Sequence, residues 1–288
     1  MINDIKLLNE NLYSYQIEAK KNIYESWSEG NRSVLLQMPT GTGKTTVFCS
    51  IAREFYKYAI EKNLEAHVLI VAHKIELIEQ ISKNLLTNYS IDSGIIKSGK
   101  PANYNKIVQV ISIQSLGDKF NRNVSLIIID EAHHAIAETY QKLWDKFPNA
   151  YFLGVTATPY RLDGTGLNSI FQDLIISPNI KWFIKNNNLS KIEYLSIKEN
   201  KLELNDIKEI AGDYDNAELF KKFGERTEIR ANIVESYKKY LFGKKGIVYT
   251  INKEHNKLVC EDYKKAGISA YALDSDSDDN LRETVLND

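Results

Sequence analysis

The stretch "QMPTGTGKTT", residues 37–46, joins an apolar run to a helical pattern. Before it, "RSVLLQM" (32–38) reads as a strand; after it, residues 44–62 read as a helix. Strand, glycine-rich turn, Lys-Thr and helix, in that order, form the context of a phosphate-binding loop. Gly41 and Gly43 let the backbone turn tightly and aim its N–H groups at an anion, and the helix adds its N-terminal dipole. Thr40, Thr42 and Thr46 fill out the loop. Lys44 can reach the β- and γ-phosphates of a nucleotide, and the Thr45 hydroxyl can ligate Mg²⁺. The strict pattern has a glycine where this chain has Met38. The plainer reading, a glycine-rich turn with an exposed lysine, does not account for the agreement of strand, loop, Lys-Thr and helix.

Four further runs read as strands: "HVLIVAH" (67–73), "KIVQVISI" (106–113), "SLIIID" (125–130) and "AYFLGVTA" (150–157). Several are apolar throughout, as expected of strands covered on both faces. Helical segments such as 74–87 lie between them. The alternation predicts an α/β domain with a mostly parallel sheet flanked by helices, whose ligands bind beyond the carboxyl ends of the strands.

The run 125–130 ends in acids and continues as "DEAHH" (130–134). Asp130 is placed to hold Mg²⁺ opposite the loop threonine, and Glu131 to orient or deprotonate an attacking water. A metal site made by His133 and His134 alone fits poorly, because adjacent residues point in different directions. A solvated loop after a core strand is the blander alternative; the independent phosphate loop weighs against it.

With 288 residues, 43% hydrophobic and 26% charged, the chain can bury a sizeable core and has the composition of a globular protein of one large or two ordinary domains. The net charge of −1 supplies no bulk basic field, so a nucleic-acid partner must be held by local patches. Cys49 and Cys260 match no metal spacing and read as small buried residues in a reducing compartment. No apolar run approaches a membrane span and no leader pattern opens the sequence, so no membrane partner and a cytoplasmic location are expected.

The phosphate loop, "DEAH" (130–133) and "TAT" (156–158) in this order resemble the superfamily 2 helicases and translocases, in particular the DEAD/DEAH-box group with XPB-like and type III restriction motor subunits. The resemblance covers most of residues 10–200. It includes "LYSYQIEA" (12–19), in which Gln16 matches an adenine-reading glutamine and Tyr13 stands where the family often has a basic residue. "VAHKIELIEQ" (71–80) and "VISIQSL" (110–116) are similar to motifs Ia and Ib, and "GVTATPYRLDG" (154–164) to motif III with its flank. The resemblance implies a RecA-like P-loop NTPase domain binding ATP with Mg²⁺, and a nucleic acid, DNA rather than RNA, across the domain faces. It implies that Lys44, Asp130 and Glu131 are catalytic, that His133, Thr156 and Thr158 couple nucleotide state to the nucleic acid, and that His73, Lys74, Ser112 and Gln114 contact its backbone. For His73 and Lys74 a solvated helix start competes with that role, for Gln114 helix capping, and for Thr156 and Thr158 satisfaction of local backbone groups. His134 receives no role.

The expected division is a first RecA-like domain over 1–198, connecting helices over 199–243, and the start of a second RecA-like domain over 244–288. That start is built from a strand at 245–250, a helix at 252–266 and a strand at 268–274. The family's motifs V and VI, which carry arginines to the γ-phosphate, do not occur in these 288 residues, and Arg226 and Arg230 stand in no such context. The expectation is that this chain alone binds ATP with Mg²⁺ and turns it over slowly or not at all, with a second RecA-like domain or subunit completing the site in trans. A nucleotide-binding module without motor activity is the alternative.

Overall fold

The computed structural model describes residues 1–72, 75–97, 103–116, 120, 122–135, 138–159, 167–195, 204, 206–210 and 213–287. The chain divides into two compact units, 1–193 and 194–288.

In the first unit, α1 (Ser14–Ser28) precedes β1 (Ser33–Gln37), α2 (Lys44–Glu61), β2 (His67–Ala72), α3 (Ile75–Tyr89) and β3 (Gly94–Ile96). Then come β4 (Val108–Ser112), β5 (Val124–Asp130), α4 (Glu138–Lys146), β6 (Tyr151–Thr156), β7 (Asp173–Ile176) and α5 (Ile180–Lys185). The strands form one seven-stranded sheet in the order β3-β4-β2-β5-β6-β1-β7, and every neighbouring pair is parallel.

The apolar runs follow from burial on both faces. Val34, Leu36, Val68, Ile70, Leu126, Ile128, Leu153 and Val155 face one core with α1, α2 and α3. Their alternates Leu35, Leu69, Val71, Ile127, Ile129 and Phe152 face a second core with α4. A strand at the centre of such a stack has no polar face to show in its sequence. On α2 the residues Val47, Ile51, Phe55 and Ala59 recur every four positions and are buried, which lays the helix along the sheet.

Register aligns the strand ends. Gln37 pairs with Thr156, Asp130 with Val155, and Ala72 with Ser112. The carboxyl ends of β1, β5, β6, β2 and β4 therefore share one rim. Gly154 keeps that rim close-packed, since a Cβ there would meet Phe171 Cζ at 2.4 Å and the Ala132 methyl at 2.9 Å. Gly154→Ala should cost about 1–3 kcal/mol, read as a fall in the thermal unfolding midpoint; an unchanged midpoint would show that Phe171 gives way freely.

Two strands were not legible beforehand. β3 has three residues and β7 four. β7 is an edge strand with Leu174 and Ile176 exposed, so it shows neither alternation nor a closed apolar run. Its place beside β1 is set from far along the chain, where the Gln172 side-chain oxygen accepts from Arg32 N (2.6 Å) and Ser33 N (3.1 Å).

The second unit holds a short hairpin, β8 (Glu209–Ile210) with β9 (Asp213–Tyr214), then α6 (Asn216–Leu219), a π-helical turn at Phe220–Gly224, α7 (Thr227–Tyr240), α8 (Lys253–Lys265) and α9 (Asp279–Asn287). Helices form at Asn216–Leu219, Thr227–Tyr240 and Lys253–Lys265, while the hairpin takes Glu209–Ile210 and Asp213–Tyr214. Arg230 is a structural residue: its Nε donates to Asp262 (2.7 Å) and its NH1 to the carbonyls of Gly224 (2.9 Å) and Glu225 (2.8 Å).

The strands expected at 245–250 and 268–274 do not form among the described residues; both stretches are irregular. The second packs on α8 through side chains: Asn256 Nδ2 donates to Leu273 O (2.9 Å), Cys260 Sγ lies 3.4 Å from Ala270 O, and Val259 and Tyr263 cover Ile268 and Ala270. The first leaves Ile247 and Tyr249 exposed. Two short parallel strands without further neighbours lack the covered faces such a ladder needs.

Cys49 and Cys260 are both buried and unbridged. Among the described residues no helix is long and apolar enough to cross a membrane.

Candidate nucleotide site at the carboxyl rim

The phosphate loop leaves β1 with its backbone still tied to β6, as Met38 N donates to Thr156 O at 3.0 Å. The Thr42 side chain is buried and turns back to donate to Pro39 O (2.7 Å), which closes the loop on itself. Gly41 (φ +81°) and Gly43 (φ +84°) take left-handed conformations, and Gly43 caps α2. Such a path is strained for any residue with a Cβ. The first-turn N–H groups of α2 lack intrahelical acceptors, as at every helix start. Lys44 is half-buried, and its Nζ lies 3.4 Å from Met38 O, at the mouth of the loop.

The loop is backed by α1. Gln16 is 2% exposed. Its Nε2 donates to Thr42 O (3.1 Å), while its Oε1 accepts from Tyr13 N (3.0 Å). Tyr15 OH donates to the same Thr42 carbonyl (3.1 Å). Sequence reading missed Tyr15; its only signal was adjacency to Gln16. The Tyr13 ring is exposed and stacks on Tyr15 at 5.6 Å between centroids.

Across the rim, Asp130 ends β5 and is 8% exposed. Burial, reinforced by the neighbouring Glu131 charge, raises its pKa to about 6, against the opposing pull of Glu131 N–H and Lys44. The Glu131 N–H donates to Asp130 Oδ1 (3.0 Å). Glu131 itself sits at φ +50°, ψ +52°, a left-handed conformation that costs a non-glycine residue of order 1–3 kcal/mol and is concentrated at functional sites.

The three coupling candidates do meet. His133 Nδ1 lies 3.1 Å from Thr156 Oγ1 and 3.5 Å from Glu131 Oε2. Thr156 Oγ1 donates to Thr158 O (3.0 Å) and accepts from Thr158 N (3.1 Å). With the Thr156 hydroxyl proton on Thr158 O, the His133 tautomer protonated on Nδ1 donates to Thr156, with Glu131 as a second acceptor nearby. A continuous path runs Glu131, His133, Thr156, Thr158. Gln37, also missed beforehand, braces its end by donating from Nε2 to Ala157 O (3.1 Å). The ring of His134 lies against that of His133, 4.2 Å between centroids.

The remaining candidates lie apart from this cluster. Ser112 is buried at the end of β4 and donates to the exposed Gln114 side chain. β2, β5 and β6 separate β4 from β1 and its loop. His73 and Lys74 lie outside the described residues.

Two buried groups, on Cys49 and Tyr140, feel the Asp130 charge. Burial and the Asp130 charge raise the Cys49 thiol pKa, and they push the Tyr140 hydroxyl up to about 12. Both groups stay neutral beside the carboxylate.

A family model described as "Type III restriction enzyme, res subunit" matches residues 9–161, over half of the chain. A 51.5 kDa protein of a Lactococcus phage (isolate 7-9) is 29% identical over 256 residues, 88% of this chain and 52% of that protein. A Schizosaccharomyces pombe protein, whose name describes it as a mitochondrial ATP-dependent helicase, irc3, is 30% identical over 295 residues, 96% of this chain and 47% of that protein. The DNA 3'-5' translocase XPB2 of Sulfurisphaera tokodaii is 34% identical over 160 residues, 53% of this chain and 32% of that protein. The chain spans about half the length of the first two. It belongs to the family of the type III restriction enzyme res subunit.

Proposed function

We propose that this chain carries the ATP-hydrolysing half of a superfamily 2 helicase or translocase that moves on DNA. The observation that carries the reading is the meeting, at one sheet rim, of a phosphate loop with Lys44, a carboxylate pair at Asp130–Glu131, and a hydrogen-bonded path from His133, 3.5 Å from Glu131, to Thr156 and Thr158. The relatives named as an ATP-dependent helicase and a DNA translocase support the direction and the choice of DNA.

Mg²⁺ fits the donors present. Thr45, in the first turn of α2, and Asp130 would hold it, and Asp130 is a carboxylate whose ionisation in isolation is opposed by burial and by Glu131. The ion, when bound, neutralises phosphate charge. The chain's own residues do the rest. The loop backbone and Lys44 fix the β- and γ-phosphates. Glu131, half-exposed and held off the strand by its left-handed turn, orients and deprotonates the attacking water. His133 is hydrogen-bonded to Thr156 and near Glu131, so a change at the phosphate is felt at the end of β6. In this reading residues 1–198 bind the nucleotide, 199–243 connect, and 244–288 open a second RecA-like domain. A second RecA-like domain or subunit, supplied in trans, completes the site.

ATP turnover measured with and without duplex DNA and RNA tests the proposal, on this chain, on one extended through a complete second domain, and on Thr156→Val in the extended chain. The extended chain should be stimulated by DNA above RNA, and this chain alone should turn ATP over slowly or not at all. Thr156→Val should keep basal turnover within a few-fold and lose the stimulation, since valine keeps the shape and removes the oxygen that joins His133 to Thr158. Nucleotide binding without turnover under every condition would replace the motor reading with a binding module.

A further inference from the structure

One seam in the first unit is polar within an otherwise apolar core. On α1, Gln16, Lys20 and Tyr24 follow at four-residue intervals and so share one stripe. On α2, Ser50 and Glu54 do the same. The side chains of Lys20 and Glu54 are both 0% exposed and pair at 2.7 Å. All three Lys20 donors and both Glu54 oxygens are engaged. Lys20 Nζ also donates to Ser50 Oγ (3.0 Å) and Leu8 O (2.5 Å). Glu54 accepts from Leu8 N on the oxygen that meets Lys20, and from Tyr24 OH (2.8 Å) on the other.

Stability gives no reason for this arrangement. Both charges are removed from water, and burial holds the Glu54 carboxyl above its ordinary range even with Lys20 beside it. Apolar residues of similar volume generally serve a buried pair's place as well or better. What such a pair does supply is registry. Apolar ridges tolerate sliding of one helix along another; a network in which every donor has one acceptor does not.

Registry matters here because of what lies one turn away. Gln16 and Tyr15 both end on the carbonyl of Thr42, between the two left-handed glycines. Space there is tight: a Cβ on Gly43 would stand 2.4 Å from Gln16 Nε2. A small axial shift of α1 would push that amide into the phosphate loop or withdraw it.

We propose that Lys20–Glu54 is a positioning pair, which locks α1 to α2 so that Gln16 and Tyr15 hold the phosphate loop in its nucleotide-binding shape. Nucleotide affinity depends on the pair, and stability does not. The inference rests on the nucleotide reading of the site.

The test replaces the pair with apolar residues, Lys20→Met together with Glu54→Leu. Binding of mant-ATP with Mg²⁺ is titrated by fluorescence, and KM and kcat are measured beside the thermal midpoint. The expected result is a folded protein whose Kd and KM rise about tenfold, equivalent to about 1.4 kcal/mol, with kcat within about threefold. Glu54→Gln, which keeps an oxygen for Lys20 and Leu8 but leaves the buried ammonium without its counter-charge, should lower the thermal midpoint while keeping affinity closer to the parent than the apolar pair does. In a Gln16→Ala background the apolar pair should add little further loss, because the effect travels through Gln16.

A folded double variant with parental affinity would overturn the proposal. So would failure to fold, which would make the pair a stability element, or full additivity with Gln16→Ala. If the parent chain bound no mant-ATP, the nucleotide reading itself would fall, an outcome separate from these.

Discussion

Lys44→Ala should weaken ATP binding by about 10- to 150-fold, the value of a hydrogen bond to a charged group, about 1.5–3 kcal/mol. Lys44 is the first residue of α2, directly after left-handed Gly43, so its stem leaves the loop at a fixed point. Its ammonium lies 3.4 Å from Met38 O, a long contact that a phosphate oxygen would better. Alanine is a good helix former and removes no packing, so the fold should be untouched. The glycine cradle and helix dipole remain, which is why a residual affinity is expected. Lys44→Arg keeps the charge but changes its reach and geometry, and should recover only part of the loss. Titration with mant-ATP decides the matter: affinity within twofold of the parent for Lys44→Ala would remove the ammonium from the phosphate site.

How much of this could be read from the residues alone depends on the distance over which each feature is determined. Leu126–Ile129 announces a central strand because both its faces are buried, and that is a local signal. The loop 38–45 is legible because its chemistry fits in one turn. β7 is not legible, because its four residues are placed by Gln172 bonding to Arg32 and Ser33, far back along the chain. The Lys20–Glu54 pair is hidden for a different reason. Lysine and glutamate are surface residues by default, and nothing local marks these two, 34 residues apart, as wholly buried partners. Residues 245–250 and 268–274 err in the opposite direction. Their composition suits strands, but strands are made by ladders, and α8 side chains take the carbonyls of Ala270 and Leu273 instead.

The same reasoning applies to function. Glu131 was legible as an acid after a strand, but its left-handed backbone and its nearness to His133 were not. Both bear on the last expected result. In a chain extended through a complete second domain, Glu131→Gln should keep nucleotide affinity and lower turnover by about 10²- to 10⁴-fold, the usual worth of a positioned general base. Glutamine has the same length and pays the same cost at φ +50°, so the turn and the thermal midpoint should be preserved. Its side-chain oxygen can still accept from His133 Nδ1, so the path to Thr156 survives. Asp130 loses a like-charged neighbour, which eases its own ionisation. Basicity and charge are removed, while length and shape are kept. The measurement is mant-ATP affinity beside DNA-stimulated turnover on the same preparation. Normal turnover would transfer the base role elsewhere. Loss of binding together with turnover would mean that Glu131 shapes the site and does not act on the water.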